Sequence, residues 1–177
     1  MDNGDDAPLV SAVHFTAEKG GDGMLTNNGL TRLHYVMSGN STQAPYKSTD
    51  GSEIRSSAYQ FNSMVSSMGA VDSRGKHAIL IGSDDTPATP DDYKWEHDIT
   101  SQVSVTSYSY ALLADKTTCI SMSCVNPTDT DIEVKEIGWI AGISDGGGKM
   151  LIAREVFNEP VVVKANGGAQ TFGLRIG

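Results

Sequence analysis

From residue 101 onward the chain carries short apolar runs, alternating or continuous, separated by turns rich in Gly, Asn and Pro. Thr118–Val125 alternates, which sets Ile120, Met122 and Cys124 on one side of a predicted strand. Thr171–Ile176 does the same with Phe172, Leu174 and Ile176. Between them, Ile132–Ile143, Met150–Phe157 and Pro160–Val163 read as further strands. Turns are predicted at Asn126–Asp131, Ser144–Lys149 and Asn166–Gly168. Gln102–Leu113 changes phase between Val105 and Tyr108, which predicts a bulge. Upstream, His77–Gly82 (HAILIG) fits a buried strand and Leu9–Thr16 a first strand. Strands at this spacing predict a mostly β chain, an antiparallel β-sandwich.

One segment follows a different period. After Thr26-Asn27-Asn28, whose side chains are capping oxygens, Leu30, Leu33, Val36 and Met37 recur at helical spacing and Gly39 follows as a stop. An amphipathic helix is expected over about 27–38. Residues 1–10 read as an acidic N-terminal arm, and 11–177 as a single sandwich domain. Within it, about 40–75 is a Ser/Thr-rich insertion with dispersed Tyr46, Tyr59, Phe61, Met64, Val65 and Met68. It is expected to fold on the body or on a partner, so those aromatic and methionine side chains are candidate interface residues.

The 177 residues are 38% hydrophobic with a mean hydropathy of -0.25, low for a chain long enough to bury a core. The pattern places the polar surplus in the arm, the insertion and the loops. A formal charge of -9 argues against nucleic acid, whose affinity comes from Lys and Arg on phosphates, and against an anionic membrane surface. No apolar run approaches the roughly 20 residues of a membrane span. The start, Met1 to Asp6, has acids where a signal peptide needs a basic region, so a soluble, non-exported protein is expected.

Little in the sequence selects chemistry. Cys119 and Cys124 stand at odd spacing in one strand, about 16 Å apart at the usual rise, beyond the ~7 Å a disulfide spans. His14, His34, His77 and His97 are scattered singletons, so neither a metal nor a cofactor is expected. Asp84, Asp85, Asp91 and Asp92 offer oxygens for a hard cation, but their spacing does not match a calcium loop. Gly142-Ile-Ser144-Asp-Gly146 matches a nucleophile elbow, yet strand-like Met150-Leu-Ile-Ala follows where that motif needs a helix. Gly146-Gly-Gly-Lys149 lacks the earlier glycine and the hydroxyl of a phosphate loop. No catalytic residue is assigned. Trp95 and Trp139 are candidate glycan contacts, although aromatics in small β domains usually serve the core. Arg154 and Glu155 interrupt an apolar strand, as suits an interface ion pair or a guarded sheet edge.

Four blocks in order carry a resemblance. They are Thr26-Asn-Asn-Gly-Leu-Thr-Arg-Leu33, the stretch Ile79-Leu-Ile-Gly-Ser-Asp-Asp-Thr-Pro-Ala-Thr-Pro-Asp-Asp92, the pair Val125–Gly138, and Met150-Leu-Ile-Ala-Arg-Glu-Val-Phe-Asn-Glu-Pro-Val-Val-Val163. Together they resemble small β-sandwich structural proteins of tailed bacteriophages. Ser83-Asp84 departs from that pattern, standing where a second glycine is common, and the 40–75 stretch is long. The resemblance implies a non-enzymatic virion component. A neck or tail subunit, such as a collar or fibre-anchoring adaptor, is favoured over a capsid decoration or head-fibre protein. It also implies a homo-oligomer whose partners are other virion proteins, assembled after synthesis in the host bacterial cytoplasm. A carbohydrate-binding module of a receptor-binding apparatus is the alternative from another class.

Overall fold

The computed structural model of the chain describes residues 24–37, 43–57, 77–112, 118–142 and 149–176. They are mostly β, in antiparallel sheets, with one short helix. The strands are β1 (Met24–Leu25), β2 (Gln43–Lys47), β3 (Glu53–Ser57), β4 (His77–Gly82), β5 (Ser104–Leu112), β6 (Thr118–Val125), β7 (Ile132–Gly142), β8 (Lys149–Val163) and β9 (Ala169–Ile176); the helix α1 is Asn27–Met37. The largest sheet runs β1-β8-β7-β4, a second runs β5-β6-β9, and β2-β3 is a separate hairpin.

Alternation selects what is buried. Ile120, Met122, Cys124, Phe172 and Leu174 of one sheet share a core cluster with Ile79, Ile81, Val134, Ile137 and Trp139 of the other. The expected phase change in β5 is a register shift between Val105 and Ser107. Both cysteines are free and buried. In β8, Phe157 sits where pairing with β7 slips between Val134 and Glu136, and its ring stacks on Phe172 at 6.2 Å. Thus β8 runs unbroken from Lys149 to Val163, where two strands were expected. The β8–β9 turn uses Asn166 at φ 57° and Gly167 at φ 96°, left-handed conformations that Asn and Gly tolerate best.

Three expectations need correction. The 40–75 stretch contains the β2-β3 hairpin. Tyr46 in it is 2% exposed, a member of the core rather than an interface residue, because it opposes Ile54 on the hairpin face that packs inward. The helix begins and ends close to expectation, but the two leucines of its apolar stripe face outward. Leu30 and Leu33 are each 47% exposed while Asn28 and Gly29 are buried. The candidates Tyr59, Phe61, Met64 and Met68 lie outside the described residues, as do the 1–10 arm, the predicted strand 9–16 and Ser144.

Polar contacts explain the helix's orientation. Thr26 caps it, its Oγ1 accepting from the Gly29 amide at 3.3 Å while donating to the Leu151 carbonyl at 2.6 Å. Asn28 pairs with the Lys47 backbone as a strand residue would, donating to its carbonyl at 2.7 Å and accepting from its amide at 2.8 Å. Gly29 is needed for closeness, since a Cβ there would overlap the Ile152 carbonyl oxygen.

Candidate functional site: a buried arginine under an acidic loop

A one-residue irregularity in β8 sets up a cluster of ion pairs around Arg154. Trp139 opposes Ala153 but Ile140 opposes Leu151, so Ile152 is an extra residue. Ile152 and Ala153 both join the core cluster, and the alternation is reset. Arg154 therefore lands on the opposite face of the sheet, across from Gly138. A regular strand would have aimed it into the core.

On that outer face, two glycines make room. Gly82 opposes Glu136, and a Cβ on Gly82 would overlap the Glu136 carboxylate. A Cβ on Gly138 would stand 2.5 Å from the Trp95 ring. Glu136 can thus lie flat, 2% exposed, and accept from Arg154 Nε at 2.7 Å. The other two nitrogens of the guanidinium reach the segment after β4. Nη1 donates to Asp92 at 2.7 Å and Nη2 to Asp84 at 3.1 Å. Arg154 itself is 5% exposed, so its pair with Glu136 lies in a poorly hydrated setting where ion pairs must be complete to be tolerated, while Asp84 and Asp92 are half-buried.

Every aspartate of the acidic loop has a donor. Asp84 also accepts from the Thr86 amide at 3.0 Å and Asp92 from the Thr89 hydroxyl at 2.7 Å. Asp85 takes Lys135 Nζ at 2.9 Å and Asp91 takes Asn27 Nδ2 at 2.8 Å. Burial pushes Asp84 and Asp92 upward, but hydrogen bonds from Thr86, Thr89 and Arg154 and the charge of Arg154 outweigh it and hold both below the usual carboxylate value. For Glu136 burial wins over Arg154, and its carboxyl is raised. Beside the cluster is a cleft of about 350 Å³ whose walls include Tyr93, Trp95, Glu96 and His97. Lys47 of the hairpin sits 3.5 Å over the Tyr93 ring, tying β2 to this edge.

The sequence-predicted residues scatter accordingly. Trp95 lies over Gly138 on the outer face, while Trp139 is 5% exposed in the core. They do not form a shared platform, which corrects the pairing of the two as glycan contacts. Arg154 does not guard a sheet edge, since β8 lies between β1 and β7 and its ion partners belong to its own chain. Glu155 opposes Ile137 on the other face and is also buried. Among the described residues, no group of three or more His, Cys, Asp or Glu side chains is arranged to hold a metal ion. The acidic loop's carboxylates face protein donors instead. Sequence reasoning took Arg154 and the loop as separate features. The Asp-rich loop and the lone arginine of a distant strand, with a glycine opposite each of the two outer-face side chains they enclose, form one unit. No family model, curated protein or solved structure matches this chain.

Proposed function

We propose that the chain is a non-enzymatic structural subunit of a tailed-phage virion, with a neck or tail position (collar or fibre-anchoring adaptor) favoured over a capsid decoration or head fibre. One observation supports it most. Around the buried Arg154, each of the loop's four aspartates has a donor of the same chain. Groups so engaged hold a loop in place, which is a structural task. On this reading the two larger sheets are the layers of a sandwich, and assembly is with copies of itself and other virion proteins rather than with nucleic acid or membrane. The charge of -9 and the outward Leu30 and Leu33 suit a protein-to-protein role, in which a small subunit gains stability from its neighbours.

The test is stoichiometry. The protein should sediment as a defined oligomer and appear in purified particles at a fixed copy number by quantitative mass spectrometry. A monomer absent from particles would end the proposal. The glycan-binding alternative rests on Trp95, which is half-buried at the cleft's edge. It requires that Trp95→Ala abolish binding on a glycan array while the protein stays folded.

A further inference from the structure

The loop from Ser83 to Asp92 has no buried side chain, so apolar packing contributes little to its position. What holds it is charge and hydrogen bonding. Asp84 and Asp92 reach Arg154, Asp85 reaches Lys135, and Asp91 reaches Asn27. Only a few backbone bonds add to these, among them Asn27 N to the Pro90 carbonyl at 2.7 Å and Ser83 N to the His97 carbonyl at 3.1 Å. We propose that this loop is an acid-releasable latch, held over the sheet by the Asp84–Arg154–Asp92 clamp at neutral pH and let go in acid while the β core stays folded.

The surroundings of the clamp decide the order of events. From β7, Glu136 faces Arg154, and Lys135 faces Asp85. From the segment after the loop, Lys94, Glu96 and His97 line the same cleft, with Asp91 at its rim. The β1 residue opposite Arg154 is the uncharged Met24. Three carboxylates on one guanidinium give an excess of negative charge, so protons can enter without leaving a buried carboxylate unpaired. Glu136, raised by burial, takes the first one. Asp84 and Asp92 are held below the usual value, so they stay charged and keep the loop down until the pH falls below about 4. Their protonation then removes both loop contacts to Arg154. The guanidinium is not stranded, because the departing loop opens it to water on the cleft side. The proposal is independent of any role in a virion.

The two tryptophans make the event visible. In a Trp139→Phe variant the remaining Trp95 reports on the cleft alone. Acid titration should shift its emission to the red with a midpoint below about pH 4, while far-UV circular dichroism stays constant through that step. A double variant, Asp84→Asn with Asp92→Asn, should show the shifted emission already at pH 7. Trypsin should cut it after Lys94 about tenfold faster than the wild type, as expected when charge-assisted bonds holding a segment are lost. Emission that moves only together with the dichroism would overturn the latch. So would an asparagine variant whose Trp95 emission and cleavage rate match the wild type at pH 7. Trp139 serves the core, so the proteolysis arm is run with that tryptophan intact.

Discussion

Two segments dock against the β1-β8-β7-β4 sheet, and they are held by opposite means. The helix α1 docks through neutral groups. The Thr26 hydroxyl, the Asn28 amide and a glycine make close contacts to the backbone of β8 and β2. The Ser83–Asp92 loop docks through carboxylates on Arg154 and Lys135. Backbone-directed contacts demand exact closeness and ignore pH, whereas charge contacts tolerate displacement and follow pH and salt. The same strand supplies both anchors, one on each side of the extra residue Ile152.

The largest test removes the charged anchor. Arg154→Met leaves Glu136 buried without its partner, and breaking a buried pair on one side costs about 3–5 kcal/mol. Urea denaturation at pH 7 should show that loss, and Glu136→Gln combined with Arg154→Met should recover a good part of it. If the single variant were as stable as wild type, the arginine would be ornamental to the fold.

The neutral anchor should break next most severely. Gly29→Ala pushes a methyl against a backbone carbonyl, which can yield only by moving the helix. Overpacking of this kind costs about 1–3 kcal/mol. Thr26→Val keeps the shape but removes the cap and its bond to β8, at about 1–2 kcal/mol. Here pH sharpens the contrast between the two segments. The Thr26→Val loss should be the same at pH 7 and pH 4. The cost of Asp84→Asn with Asp92→Asn should shrink as pH falls. Their folded values are lowered, so the stability they give is present above about 3.9 and is lost as pH drops through the folded values. A stability difference for the aspartate variant that does not change between pH 7 and pH 3 would contradict charge as the loop's tether.

The strands were readable because burial on one face imposes a period of two, as in Ile120-x-Met122-x-Cys124, and that signal is local. The bulge in β5 was readable for the same reason. The bulge at Ile152 was not, since Met150-Leu-Ile-Ala is apolar throughout and shows no phase to break. Without it, Arg154 could only be guessed as an edge or interface residue. The helix was found by its spacing and misread by it. Its leucines suggested an inward face, but the approach distance is set by Gly29 and by Asn28 bonding the Lys47 backbone, both non-local. The β2-β3 hairpin was missed because Gln43-Ala-Pro-Tyr-Lys is short and carries one large apolar side chain, too few for a pattern. The acidic loop was legible as acidic, but its meaning depended on an arginine 62 and 70 residues away.

The smallest expected effect shows why charge matters in one place and not another. Lys164 pairs with Asp131 at 2.8 Å near the β8–β9 turn, and its side chain is 72% exposed. That lysine gains little from the pair, because water screens the charge and the long side chain must be ordered to make it. Asp131 has a second task, accepting from the Ala165 amide at 2.9 Å with its other oxygen. Lys164→Ala should therefore leave the Tm unchanged within error in differential scanning calorimetry at 50 mM and 500 mM salt alike. Asp131→Ala should lower it, because the turn loses a backbone partner. If Lys164→Ala lowered the Tm as far as Asp131→Ala does, exposed charge would be supporting this fold generally. The contrast between a charge-held loop and a backbone-held helix would then have to be given up.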